Sequence, residues 1–232
     1  MMECVHNQLA IDYNCAPEDF QKEGFIFTEA KQNKGRRPWP WIMPRLEMIT
    51  MGNSLIINTS TDILPMVRQR LEGKTKYEAM NMPFVYGVNP YYLPDLDKIT
   101  LLSKNTNFHY AIIEKDEIEN LYESRGIKEI TTLDMVAVIT KHNDEIAGIA
   151  SATIECEKMC QINVEVLPLY RGNKLATTMV NIITFEMLDR KYIPYYSTDC
   201  SNIISQRVAI QAGYIPAWSH CFRTRIDELL NT

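Results

Sequence analysis

The sequence predicts an α/β (α+β) protein: a mixed, mainly antiparallel central sheet flanked by helices, with an α/β extension at its N-terminal end. Three observations carry this. Residues 133–166 read as three consecutive strands, an antiparallel meander. Residues 162–190 read as a strand, a glycine-bearing turn and a long helix, and residues 193–214 as a short strand and a helix closed by Gly213. With no internal repeat and no long linker, 232 residues suit one elaborated domain or two small ones, divided as an extension over 1–103 and a second domain over 104–232.

The elements follow in order. After Lys34-Gly35-Arg36-Arg37, prolines 38, 40 and 44 surround Trp39 and Trp41. Basic residues beside indoles can bind an anionic substrate or a nucleic-acid phosphate, but a stiff surface loop with half-buried indoles is the commoner arrangement. Leu46 to Thr50 and Leu55 to Asn58 form a hairpin across Gly52-Asn53. Thr61 caps a helix that runs to about Glu72 and stops at Gly73. Tyr86 to Pro94 reads as an aromatic, proline-bearing loop, in which Tyr91-Tyr92 either lines a substrate wall or staples the two regions.

Phe108 to Ile113 is expected as the first strand of the second domain, and Lys115 to Arg125 as the helix after it. Leu133 to Thr140, a turn at His142-Asn143-Asp144, Glu145 to Glu155 and Met159 to Val166 give the meander. Between Lys174 and Arg190 the apolar positions Leu175, Met179, Ile182, Ile183 and Leu188 mark a helix burying one face. Ile193 to Asp199 is a short strand.

Composition excludes some classes. Hydrophobic residues make up 46% and charged residues 23%, as in ordinary globular chains. A net charge of −5 disfavours nucleic acid as a partner while permitting a local basic pocket. No apolar run approaches the ~20 residues that span a bilayer, and Met1 to His6 lacks the pattern of a signal peptide, so a cytoplasmic protein with no membrane partner is expected. Six cysteines, at 4, 15, 156, 160, 200 and 221, suggest free thiols. The spacing of Cys156 and Cys160 is not that of a zinc knuckle, and no metal is expected. His109 and His220, single histidines on strand-like segments, read as structural.

The most informative stretch is Ile162 to Thr177. Ile162, Val164 and Val166 alternate as a strand, Pro168 ends it, Arg171-Gly172-Asn173 turn, and a helix starts near Lys174. Strand, glycine turn and helix N-terminus together form an anion site, because unpaired amides and the helix dipole converge there. Val-x-Pro-x-Tyr-Arg-Gly-x-x-Leu-Ala-Thr resembles the acyl-CoA signature of the GNAT acetyltransferases. The family pattern, Gln/Arg-x-x-Gly-x-Gly/Ala, falls on Arg171, Lys174 and Ala176; Lys174 stands where the family has glycine. As the second helical residue, Lys174 is expected to take helical angles and to add a positive charge for phosphates. A later motif, Asn-x-x-Ser-x-x-x-Ala-x-x-x-Gly-Phe/Tyr, matches at Asn202, Ser205, Ala209, Gly213 and Tyr214.

The resemblance covers roughly the last hundred residues. It implies a sheet whose two central strands splay apart, with coenzyme A in the opening. Carried over residue by residue, it puts the pyrophosphate on the turn formed by Arg171, Gly172, Asn173, Lys174, Leu175, Ala176 and Thr177. It puts the pantetheine arm on Val166, on the Leu167 amide and on Asn202, and Ser205 near the phosphates. Residues 1–103 look like the N-terminal extension of a bacterial subgroup of the family.

Acyl transfer from a thioester to an amine needs a base, an amide donor for the tetrahedral intermediate and a proton for the thiolate. Glu165 shares a strand face with Asn163 and is either the base or amine anchor, or else a solvated strand residue or a partner of Arg171. The tyrosine that many relatives carry seven residues beyond the asparagine is replaced by Ala209. Tyr214 reads as a core ring, and one of Tyr195 and Tyr196 can line the cleft. The resemblance thus implies an N-acetyltransferase moving an acetyl group from acetyl-CoA to a small-molecule primary amine, as a monomer or homodimer. Two alternatives stand beside it: a non-catalytic acyl-CoA-binding regulatory protein and a protein or peptide N-acetyltransferase.

Overall fold

The computed structural model of the protein describes residues 1–124, 134–224 and 226–230. In chain order it begins with α1 (Met2–Tyr13), a 3-10 turn (Pro17–Gln21), β1 (Gly24–Glu29), β2 (Leu46–Met51) and β3 (Ser54–Thr59). There follow α2 (Leu64–Leu71), α3 (Lys76–Met80), β4 (Val85–Pro94), β5 (His109–Glu114) and α4 (Lys115–Ser124). Next come β6 (Asp134–His142), β7 (Glu145–Ile154), β8 (Met159–Val166), a 3-10 turn (Pro168–Tyr170) and α5 (Leu175–Asp189). The chain closes with β9 (Ile193–Ser197), α6 (Ile203–Gln211), β10 (Tyr214–Thr224) and α7 (Ile226–Leu230).

These elements form two compact units, one of residues 1–91, 198–201 and 217–232, the other of residues 92–197 and 202–216. The first is built on β1, β3, β2 and the later part of β10. β1 runs parallel to β3, β2 and β3 form an antiparallel hairpin, and Ser219 to Cys221 pair antiparallel with Thr50 to Met48. Both faces of the hairpin are buried, so it reads as continuous apolar sequence rather than alternation. That return of residues 217–232 to the first unit is a long-range pairing that a division at 103/104 does not anticipate.

In the second unit β5, β6, β7 and β8 form the antiparallel meander, and β9 joins parallel to β8. The turn between β6 and β7 places Asn143 and Asp144 in the left-handed region, at φ 48° and 66°, where Asn and Asp are tolerated. One face of the sheet is covered by α5 and α6 over Val136, Val138, Ala150, Ile162, Met179 and Tyr214; the other is covered by α4 over Ala137, Ile139 and Ile113. Gly148 allows this layering: a Cβ there would lie 2.8 Å from the Glu165 carbonyl oxygen and 2.9 Å from Met179 Cε.

Several expectations change. Tyr86 to Pro94 is a strand, not a loop: its valines and tyrosines favour extended backbone, and Tyr91 to Leu93 are buried. α2 starts at Leu64, beyond Thr61, with Pro65 in its first turn. α5 buries nearly every residue from Leu175 to Thr184 and not a single face. Its polar groups are therefore bonded internally: Asn181 Oδ1 accepts from the Leu102 amide at 2.9 Å, and its Nδ2 donates to the Thr100 and Ala212 carbonyls at 3.1 and 3.0 Å. Arg125, Thr131 and Leu133 lie outside the described residues.

Replacing Asn181 with Ala removes the buried bond to Ala212 and two part-buried ones, to Leu102 and Thr100, and should cost roughly 2 kcal/mol, read as a lower urea midpoint at unchanged m-value. In the first unit His220 is buried, its Nδ1 3.5 Å from the Tyr91 hydroxyl. Burial, then the charges of Arg37, Arg45 and Arg36, holds its pKa well below 6.5. The unfolded chain therefore takes up a proton below pH ~6.5 that the folded one refuses, and stability falls with pH by at most about 1.4 kcal/mol per unit from this group. Urea titrations at pH 7.0 and 5.5 should show that loss in the wild type and a smaller one in His220→Gln.

Candidate active site

The second unit opens where β8 and β9 part. Their parallel register runs from Met159↔Ile193 to Gln161↔Tyr195 and ends there, although β8 continues to Val166 and β9 to Ser197. Past that point the edge of β8 that faced β9 is unpaired. Strand parity says which groups lie on it. The Leu167 amide donates to the Ala147 carbonyl at 2.9 Å, on the β7 side. The β7–β8 register is antiparallel, so Glu165 and Asn163 share that backbone orientation, and the peptide groups of Val164 and Val166 point the other way. The expectation for Leu167 is corrected accordingly: its amide is occupied by β7, and the free amides belong to Val164 and Val166.

Beyond β8 the chain makes a tight cradle. Tyr170 N–H bonds the Leu167 carbonyl at 2.9 Å and Arg171 N–H the Pro168 carbonyl at 3.3 Å. Asn173 Nδ2 donates to the Tyr170 carbonyl at 3.0 Å, and Asn105 Nδ2 to the Asn173 carbonyl at 3.5 Å. With the carbonyls tied inward, no amide from Gly172 to Thr177 has an acceptor among the described residues; the next one, Thr178, bonds the Lys174 carbonyl at 3.1 Å. Six successive donors at the start of a 15-residue helix form an anion cradle.

Lys174 departs from expectation. It is the N-cap of α5 with φ 61° and ψ 16°, left-handed and not helical, and Gly172 has φ 85°. A lysine in the left-handed region costs about 1 kcal/mol relative to glycine. Arg171 is exposed, and its Nε donates to the Val166 carbonyl at 3.1 Å, so it folds back toward the open edge of β8.

The other predicted residues fall around the same opening. Glu165 is exposed on the α4 face of the sheet with Asn163, whose Nδ2 donates to Thr153 Oγ1 at 3.0 Å. Glu165 has no hydrogen bond or ion pair to a described residue, so the pair with Arg171 is not formed. Asn202 is the N-cap of α6: its Oδ1 accepts from the Ser205 amide at 3.1 Å, which leaves Nδ2 to face outward. Ser205 Oγ lies 2.8 Å from the Tyr196 hydroxyl, and burial pushes that phenol's pKa up, keeping its proton in place. Tyr195 points to the opposite face, where it bonds Glu155 and, at 3.4 Å, Gln161. Tyr214 is a core ring bonded to Thr184, as expected. The Tyr196–Ser205 contact was legible only as alternation of two tyrosines. Among the described residues no three His, Cys, Asp or Glu side chains gather as a metal site, and no helix is long and apolar enough to cross a membrane.

Residues 136–219 match the model of the GNAT acetyltransferases, a span from β6 to β10 that contains the cradle and the strand opening. No curated protein matches by sequence. Among solved structures, an acetyltransferase from the GNAT family of Colwellia psychrerythraea aligns with 64% of this chain and 61% of its own, at 13% identity and TM-score 0.46. A GCN5-related N-acetyltransferase from Kribbella flavida aligns with 63% and 62%, at 13% identity and TM-score 0.44. A GCN5-related N-acetyltransferase-like protein from Streptococcus suis aligns with 74% and 72%, at 15% identity and TM-score 0.43. The chain thus spans about three fifths of the first two.

Lys174→Gly is expected to stabilise the protein by about 1 kcal/mol, because it relieves the left-handed lysine. Thermal and urea unfolding beside the wild type measure this; a destabilised variant would argue that the lysine side chain holds the turn.

Proposed function

We propose that the chain, whose residues 136–219 match the model of the GNAT acetyltransferases, moves an acetyl group from acetyl-CoA to the primary amine of a small molecule. The observation that carries the reading is the run of unpartnered amides from Gly172 to Thr177, beside the unpaired edge of β8. A pyrophosphate is the anion whose several oxygens suit six backbone donors, and Arg171 and Lys174 add positive charge. The edge amides of Val164 and Val166 and the Nδ2 of Asn202 suit the amide-bearing pantetheine arm. The bound donor supplies the activated thioester.

The chain's own groups would do the rest. Glu165, exposed on its strand, would take the proton the amine must lose, directly or through one water. A β8 edge amide receives the developing oxyanion. Ser205 on α6, hydrogen-bonded to the Tyr196 hydroxyl on β9, would be the group that passes a proton to the departing thiolate. The Glu165 carboxylate, unpaired among the described residues, also favours a cationic amine. A non-catalytic acyl-CoA-binding role has one observation in its favour, the Ala209 that replaces the usual tyrosine. Transfer to a peptide amine would use the same cradle and differ only in the acceptor.

Calorimetric titration with acetyl-CoA should give micromolar binding, weakened about tenfold or more in Arg171→Ala and retained in Lys174→Gly. Glu165→Gln should bind acetyl-CoA like the wild type and turn over roughly 10²-fold more slowly on any amine found in a screen. Absence of binding by the wild type would sink the acyltransferase reading. Binding without turnover on amines or peptides would leave the regulatory one.

A further inference from the structure

The N-terminal unit keeps one sheet edge open, and a groove runs beside it. β1 is the end strand of its sheet and pairs with β3 alone. Gly24 N–H bonds the Asn53 carbonyl at 3.3 Å, and Ala30 N–H bonds the Thr59 carbonyl at 2.8 Å. The pairing between these two points is parallel and unbroken, so the even-numbered residues spend their peptide groups on β3. Those of Phe25, Phe27 and Glu29 face away from the sheet. Asn14 Nδ2 donates to the Glu29 carbonyl at 3.0 Å and closes that end. The amides and carbonyls of Phe25 and Phe27 have no partner among the described residues.

The edge is also unprotected. Strands at sheet edges are commonly guarded by lysine, proline or a bulge. Between Gly24 and Glu29 the chain reads Phe-Ile-Phe-Thr, with no charge, no proline and no break in register. The two phenylalanine rings meet edge to face at 6.5 Å and pack, half-buried, against the core under α2. A cavity of about 520 Å³ lies along them. Its other wall is made by Arg68, Gln69 and Leu71 of α2 and by Glu72 to Lys74 beyond it.

The groove carries positive charge. The Arg68 guanidinium carbon sits 4.2 Å from the centre of the Phe27 ring, and the group makes no hydrogen bond or ion pair to a described residue. Lys74 makes none either, and the lining holds one carboxylate, that of Glu72. Lys74 also acts on Glu78, but that carboxylate is not part of the lining and accepts from the Thr75 amide and hydroxyl at 2.7 and 2.8 Å. An arginine laid on a ring is positioned while its donors stay available.

We propose that this groove docks an extended acidic segment of a partner protein, which joins the sheet as a strand along β1 and sets a carboxylate on Arg68. Four backbone groups, the amides and carbonyls of Phe25 and Phe27, give the added strand its hydrogen bonds. The two rings take the side chains on one of its faces, which alternate with those on the other. Arg68 selects by charge, through the paired donors that fit a carboxylate. A second copy of this chain is the poorer occupant: β1 offers one carboxylate, Glu29, and Lys31 holds it at 2.9 Å.

The test is fluorescence polarisation of the full-length protein with a labelled peptide, Val-Thr-Glu-Thr-Val-Thr with blocked ends. It presents valine, glutamate and valine on one face. Saturable binding is expected, weakened tenfold or more in Arg68→Glu and equally by methylation of the peptide's backbone amides. Lysine in place of the glutamate should abolish binding to the wild type and restore part of it in Arg68→Glu. The lysine peptide carries the test if that variant does not fold. Absence of saturation overturns the proposal, as does equal affinity for the lysine peptide, or binding that survives amide methylation. If a second copy fills the groove instead, sedimentation shows a dimer whose β1 edge the peptide cannot enter, and the proposal falls. Arg171→Ala should bind the peptide as the wild type does, so these outcomes are separate from those of the acetyl-CoA titration.

Discussion

The site depends on one backbone constraint, the early end of the pairing between β8 and β9. A strand has two hydrogen-bonding edges, and parity assigns alternate residues to each. β7 takes the edge that includes Asn163, Glu165 and Leu167. β9 takes the other only as far as Gln161, so the peptides of Val164 and Val166 are left facing an opening. An unpaired interior edge is costly unless something pairs with it. In the function proposed above, the pantetheine arm would be the extended group that pairs with it. Everything else proposed for the site, from Arg171 on the Val166 carbonyl to Glu165 on the α4 face, takes its place from that parity.

The N-terminal unit obeys a different constraint. Its hairpin is buried on both faces, so the Pro-rich segment must bring its polar groups inward and satisfy them there. Asp12 is satisfied in this way: its Oδ1 accepts from Gln8 Nε2 and the Arg37 amide, and its Oδ2 from Arg37 Nε. Breaking such a pair leaves a buried charge, which is far more destabilising than the pair itself is stabilising.

Much of the second unit was legible because local signals agreed. The alternation of Ile162, Val164 and Val166, the break at Pro168 and the glycine at 172 gave β8, the turn and α5 within a residue or two. Period and punctuation are local properties, and a chain reports them directly. What sequence could not report was partnership. Whether the Leu167 amide is free depends on Ala147, twenty residues earlier, and on register. β4 looked like a loop because its prolines are visible in sequence while its burial is not. Arg36 and Arg37 read as part of a surface loop for the same reason: their acceptors, Glu47 and Asp12, become neighbours only in the folded chain.

Lys174 shows where a signature and its physics separate. Glycine at that point of the pattern suggests that the backbone must do something a side chain forbids. Here a lysine does it, at φ 61°, and the strain is outweighed by α5, which buries Leu175, Met179, Val180 and Ile183 immediately after the cap. One fully buried aliphatic side chain contributes about 1.5–3 kcal/mol, more than the left-handed cap costs. The helix therefore holds the turn in the conformation that glycine would adopt freely, and the amides of Gly172 to Thr177 are without an acceptor among the described residues all the same. An anion cradle is made of N–H groups and not of side chains. Losing the glycine changes its stability and its charge, and leaves its donors where they were.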